Sequence, residues 1–187
     1  MTEDAFKKVL DAEDFSTGGG SAAALAGAMA AALAAMVARL SLKKDYGLQL
    51  SQYHEIILEA EELRDKLLAG AKRDLEAFAL VKEAYAWPKS TEDQKKQRAE
   101  KIESAFKKAA GIPAENALLC KRILELSNLL KGKSNPAAGS DLEVAADLVK
   151  TALKGCLENI KVNLPSLKDQ KTIQHLENQI SELQLLL

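Results

Sequence analysis

The amino-acid sequence predicts an all-α protein, a single-domain helical bundle of about seven helices built around a central alanine-rich buried helix. Nearly every segment repeats apolar residues at three-and-four spacing, the period of a helix face, and none alternates as a half-buried strand would. Only four prolines and ten glycines punctuate the 187 residues. That length is enough for one sizeable core, and no repeat, low-complexity linker or shift in composition marks a boundary, so residues 1–187 read as one domain.

The elements follow in order. A short opening helix carries Phe6, Val9 and Leu10, and the loop Ser16, Thr17, Gly18, Gly19, Gly20 leads to Ser21, a good N-cap. The helix from Ser21 to Leu42 is almost entirely Ala, Leu, Met and Val. A third pattern runs from about Leu48 to Ala86, with a kink expected near Gly70, and stops at Trp87 and Pro88. Thr91 and Gln94 have capping-box spacing for a fourth helix through Ala110. Pro113 suits the first turn of a fifth, which carries Leu118, Leu119, Ile123, Leu126 and Leu130 up to a stop at Gly132. Ser140 and Glu143 repeat the capping-box spacing for a sixth, which Pro165 ends near Leu164. Over about 167–187, Ile173, Leu176, Ile180, Leu183 and Leu187 make a short heptad seam.

Composition narrows the function. With 26 Lys+Arg against 27 Asp+Glu the net charge is −1, so no overall field draws the chain to nucleic acid or an anionic membrane. Aromatics at 4% leave few platforms for base stacking. Cys120, Cys156, His54 and His175 do not share metal-ligand spacing, so no metal is expected. The N-terminus is acidic where a secretory signal is basic and then apolar, which makes cytoplasmic the expected location.

The alanine-rich helix is long enough to cross a bilayer and holds a single charge, Arg39. Alanine is barely apolar by insertion standards, and neither an aromatic belt nor a second span accompanies the segment, so no membrane role is expected. Its residues sort into a small ridge, Ala23, Gly27, Ala31 and Ala35, and a large one, Leu25, Met29, Leu33, Met36 and Leu40, as in a helix central to a bundle.

Three features could carry chemistry. Successive N–H groups from Gly18 to Ser21 could cradle an anion at a helix N-terminus, although no P-loop lysine follows, and three glycines also allow a tight turn for packing alone. Asp74 interrupts an apolar stripe of Ile56, Ala60, Leu63, Leu67, Ala71, Phe78, Val81 and Tyr85; either it points inward, or Leu75 does and Asp74 pairs at the edge with Arg73 or Lys82. Asp141, Ala145, Leu148, Ala152, Cys156, Asn159 and Asn163 share one face of the sixth helix. Its polar groups could hydrogen-bond the pyrimidine part of a pterin, or Asp141 could serve only the helix dipole and the asparagines lie on the surface. Cys156 there reads as a small core residue.

The run Gly18, Gly19, Gly20, Ser21, Ala22, Ala23, Ala24, Leu25, Ala26, Gly27, Ala28 resembles the signature of the formiminotransferase-cyclodeaminase C-terminal family. Asp74 with Phe78, then Trp87, Pro88, Lys89, Arg98, Pro113, the loop Asn135 to Asp141, and Gly155, Asn159, Asn163, Lys168 and Asp169 recur in that family's order, so the resemblance covers about residues 6–169. Thr17 stands where proline is usual, and Trp87 where leucine is common.

The resemblance implies a homodimer acting on a tetrahydrofolate derivative, polyglutamylated forms included, with no cofactor beyond that substrate. It implies formiminotetrahydrofolate cyclodeaminase, which forms 5,10-methenyltetrahydrofolate and ammonia, or alternatively methenyltetrahydrofolate cyclohydrolase. Asp74 and Asp141 are the expected acid–base pair, and Ser21 is the third expected catalytic residue, positioning substrate with the glycine amides. Gly18, Gly19, Gly20, Asn135, Asn159 and Asn163 are expected to bind substrate, and Lys89 to meet its glutamate tail. A non-catalytic scaffold dimerising through the small ridge or the heptad tail is the rival, and it would need neither the glycine loop nor Asp74.

Overall fold

The computed structural model describes residues 2–187, with side chains from Ala5 onward. Among them are six α-helices, two short 3₁₀ turns and no strand. The helices are α1 (Thr2–Leu10), α2 (Gly19–Leu40), α3 (Leu50–Ala86), α4 (Glu92–Leu130), α5 (Gly139–Asn163) and α6 (Gln170–Gln184). Short connections make α2 to α5 run up, down, up and down. Cross-links along their length fix the directions: Ser21 meets Ala71 and Arg39 meets Glu61 between α2 and α3, while Arg122 meets Glu59 and Arg73 meets Glu115 between α3 and α4. The seam of α6 lies along α4, where Lys121 pairs with Glu182 and Gln179 Nε2 donates to the Ala114 carbonyl.

Six helices replace the expected seven because α4 runs unbroken through Pro113. Proline removes the N–H that would bond the carbonyl four residues back, a cost of about 3 kcal/mol in a helix interior. That carbonyl, Ala109 O, instead accepts Asn163 Nδ2 at 3.2 Å from α5. The side chain replaces the missing donor, so the helix continues. Gly70 does not interrupt α3 either. A Cβ there would lie 2.9 Å from Asn116 Cγ and closer still to Oδ1, so the glycine admits a buried asparagine of α4.

Other boundaries shift by a turn or less. The N-cap of α2 is Gly18 rather than Ser21, and Ser140 does not cap α5, whose N-cap position is Ala138. Thr91 and Gln94 do form the expected capping box, Gly132 sits at φ +70 just beyond α4, and Pro165 lies in the 3₁₀ turn after α5.

Helix α2 is long and apolar enough to cross a membrane, yet thirteen of its 22 residues are buried in the bundle. The small ridge of Ala23, Gly27, Ala31 and Ala35 packs inside the chain. The large ridge splits: Leu25 is buried, while Met29, Met36 and Leu40 face outward. Leu176, Ile180 and Leu183 of α6 are also buried against the chain's own core, so neither surface expected to join two copies is free.

Candidate functional site

Helix α2 begins about level with Asp74, while α3 continues for twelve more residues, roughly 18 Å, before Ala86. Above the α2 N-terminus one corner of the four-helix bundle is therefore vacant. A cavity of about 430 Å³ fills it, within the range of small-molecule sites. Its floor is Thr17, Gly18 and Gly20 at the positive end of the α2 dipole. Asp74, Phe78 and Val81 of α3 form one wall, Phe106 and Ala109 of α4 another, and Asn159, Val162 and Asn163 of α5 the third, with Ser16 and Ser166 at the margins.

Asp74 points inward, as the interrupted stripe allowed, while Arg73 pairs outward with Glu115 at 2.6 Å. The fully buried Ser21 Oγ lies 2.8 Å from Asp74 Oδ2, to which it donates, and 3.2 Å from the Ala71 carbonyl. Burial raises the Asp74 pKa above the usual carboxylate value, and hydrogen bonds from the Ser21 hydroxyl and backbone pull the other way without cancelling it. The carboxyl therefore keeps its proton to higher pH than an exposed aspartate does. It is also the one ionisable side chain on the cavity wall among the described residues.

In the connection before the floor, Asp14 Oδ1 accepts the Ser16 N–H at 2.7 Å, a turn that directs the chain into Thr17 and Gly18. On the opposite wall, Asn163 Nδ2 donates to the Asn159 carbonyl at 2.7 Å and to Ala109 O at 3.2 Å, with Asn159 Oδ1 at 3.3 Å. Both asparagines are half-buried and line the cavity.

The structure separates other residues expected at the site. Asp141 lies in the first turn of α5 and Asn159 eighteen residues on, so the two are about 27 Å apart along the helix. Asp141 and Asp74 are therefore not an acid–base pair within one chain. The shared face of α5 is real, with Ala145, Ala152 and Cys156 buried along it, but a face runs the length of a helix and does not bring its ends together.

Asn135 lies at that remote end too. Its side chain accepts the Ala137 N–H and its N–H donates to Ser41 Oγ at 2.8 Å, which closes the chain over the α2 C-terminus. Lys89 is exposed in the α3–α4 connection and does not line the cavity. Cys120 is buried, and the neighbouring Cys156 and that burial hold its thiol well above its usual pKa, unsuited to nucleophilic work. No three His, Cys, Asp or Glu side chains converge as a metal site among the described residues.

Sequence reasoning missed Phe106, Ala109, Val162 and Ser166. The one available signal was spacing, since Val162 sits between Asn159 and Asn163 on the same turn of α5.

Residues 2–182 match the formiminotransferase-cyclodeaminase family. The methenyltetrahydrofolate cyclohydrolase of Methylorubrum extorquens is 34% identical over 170 residues, covering 88% of this chain and 82% of that one. The formimidoyltransferase-cyclodeaminase of Gallus gallus is 29% identical over 168 residues, 89% of this chain but only 31% of its own length. The crystal structure of formiminotetrahydrofolate cyclodeaminase from Thermotoga maritima superposes with a TM-score of 0.83 at 30% identity, covering 96% of this chain and 86% of that one. The chain belongs to the formiminotransferase-cyclodeaminase family.

Proposed function

We propose that the protein is an enzyme acting on a one-carbon group carried by tetrahydrofolate, closing the formimino group into 5,10-methenyltetrahydrofolate with release of ammonia. The observation that carries this reading is the hydrogen-bonded Asp74 carboxylate, its pKa raised, on the wall of a ligand-sized cavity.

One carboxylate suffices for the proton balance. The formimino group enters as its amidinium, carrying one positive charge. As N10 bonds to its carbon, N10 loses a proton to Asp74, and Asp74 returns that proton to the departing NH₂ as the carbon–nitrogen bond breaks. Ammonia leaves and the ring keeps the positive charge, which the ionised carboxylate offsets at the end of the cycle. Nothing in this route calls for a metal or a redox cofactor.

A second reading has specific support in the 34% identical cyclohydrolase relative, which is of similar length. There Asp74 takes a proton from the water that attacks the methenyl carbon and gives it to N5 as the carbon–N5 bond opens. The remaining hydroxyl proton passes to solvent as the 10-formyl carbonyl forms, which accounts for the lost positive charge. Offering the purified protein each folate and following the near-ultraviolet absorbance of methenyltetrahydrofolate separates the readings. Appearance from the formimino compound supports the deaminase, loss of added methenyltetrahydrofolate supports the hydrolase, and no change in either assay overturns both.

The working unit in this proposal is a homodimer joined through the outward Met29, Met36 and Leu40 edge of α2, an apolar strip on an otherwise buried helix. Asp141 could meet substrate only in the cavity of a second copy.

A further inference from the structure

The asparagine wall has a fixed polarity, and its cause lies outside the cavity. Asn163 Nδ2 sits between two backbone carbonyl oxygens, Asn159 O at 2.7 Å and Ala109 O at 3.2 Å. Carbonyl oxygens only accept, so the group between them must be the NH₂ and the Asn163 Oδ1 must point away. The Asn159 Oδ1 leans to the same NH₂ at 3.3 Å, which turns Asn159 Nδ2 away in its turn. Neither Asn163 Oδ1 nor Asn159 Nδ2 has a protein partner among the described residues, and neither is sealed from solvent. One acceptor and one donor on a cavity wall are left for a ligand.

Ala109 O is available only because residue 113 is proline. In an uninterrupted helix the N–H of residue 113 would bond that carbonyl, and Asn163 would be one donor among two competing for it. Pro113 has no N–H, so the orphan carbonyl draws the Asn163 amide and sets which end faces the cavity.

Resting on the folate reading of this cavity, we infer that Pro113 is a positioning residue that locks the Asn159–Asn163 pair to recognise a lactam edge, an adjacent ring N–H and carbonyl, as in a 2-amino-4-oxopteridine. Asn163 Oδ1 accepts from the ring N–H and Asn159 Nδ2 donates to the ring carbonyl. A 4-amino ring reverses both positions, placing a lone pair against Oδ1 and a donor against Nδ2. Discrimination between the two rings then depends on the orientation that Pro113 enforces.

The test is calorimetric binding of tetrahydrofolate and of its 4-amino-4-deoxy counterpart to the full chain under reducing conditions. Wild type should prefer the 4-oxo compound by about tenfold, the scale of one matched hydrogen bond against one mismatched. Asn163→Leu should bring the ratio near one. Pro113→Ala should reduce it by roughly threefold while helix content holds, and should add nothing in the Asn163→Leu background.

Asn163→Asp is a second variant that leaves Pro113 in place. Its carboxylate cannot sit between two carbonyls, so it too should lose the preference. An unchanged ratio in Asn163→Leu and Asn163→Asp, or an equal loss of affinity for both ligands in Pro113→Ala, overturns this inference and leaves the folate reading standing. Failure of wild type to bind either compound overturns both.

Discussion

The Asp74 carboxylate occupies the space that a side chain on Gly20 would need: a Cβ there would lie 2.7 Å from Asp74 Cγ and Oδ2, and nearer still to Oδ1. The glycine of the α2 first turn is thus a condition for the inward carboxylate, which ties the glycine run to Asp74 across 54 residues.

Gly20→Ala should therefore impair the site even though alanine favours helix. Propensity gains about 1 kcal/mol, whereas overpacking typically costs about 1–3 kcal/mol, so a net loss of stability and a fall in turnover of roughly tenfold or more are expected. Thermal melts and initial rates check both. In an Asp74→Ala background the clash is absent and Gly20→Ala should be neutral or stabilising; a loss persisting there would show that Gly20 serves the loop and not Asp74.

Asp74→Asn should separate chemistry from stability. Turnover should fall by roughly two to four orders of magnitude, because Asn cannot carry the proton. The pKa of Asp74 is raised on folding, so its favourable contribution is complete below the unfolded carboxylate value and disappears as pH rises through the folded value. At neutral pH the variant should then melt at or above the wild-type temperature, and that advantage should shrink as the buffer is taken towards pH 4. A destabilised variant with near-normal turnover would make Asp74 a structural residue.

Much of this was legible in the sequence for local reasons. Helical periodicity, the Thr91–Gln94 capping box and the Gly132 stop depend on neighbours a few residues away, and each appears in the fold. The inward turn of Asp74 was one of two open readings, because the stripe could continue through Leu75; Gly20 and Ser21 on another helix decide it. Pro113 misled because the donor that rescues its helix comes from Asn163, fifty residues on. The separation of Asp141 from Asp74 within one chain was not legible for a different reason. Periodicity assigns a residue to a face but does not say which end of that face reaches the cavity.

The outer edge of α2 predicts the assembly. Met36→Glu puts a charge on the apolar strip without entering the core, so light scattering should move from about twice the 20.2 kDa chain mass towards the monomer while helicity is kept. Removing the chain after Asp169 should expose core residues that Leu176, Ile180 and Leu183 cover, and is expected to lower stability more than it changes association. An unaltered dimer in Met36→Glu would place the interface elsewhere.

The α6 docking should be acid-sensitive in a narrow range. Asp169 caps α6, accepting the Lys171 N–H at 3.1 Å and the Thr172 hydroxyl at 3.0 Å, and its Oδ2 lies 2.7 Å from Lys107 Nζ on α4. The hydrogen bond from Lys107, then that from Thr172, hold its pKa down to about 2. A depressed carboxylate contributes stability that is fully present above its unfolded value, near 4, and lost as pH falls through the folded one. Wild type should accordingly lose α6 protection in hydrogen exchange as pH falls from about 4 towards 2, with Asp169→Asn already showing the weakened state at neutral pH. Lys107→Met should narrow the window from its lower end, since the folded pKa rises towards the unfolded one. If Asp169→Asn keeps full α6 protection at neutral pH, the cap and ion pair do not anchor the helix, and the buried Leu176, Ile180 and Leu183 suffice alone.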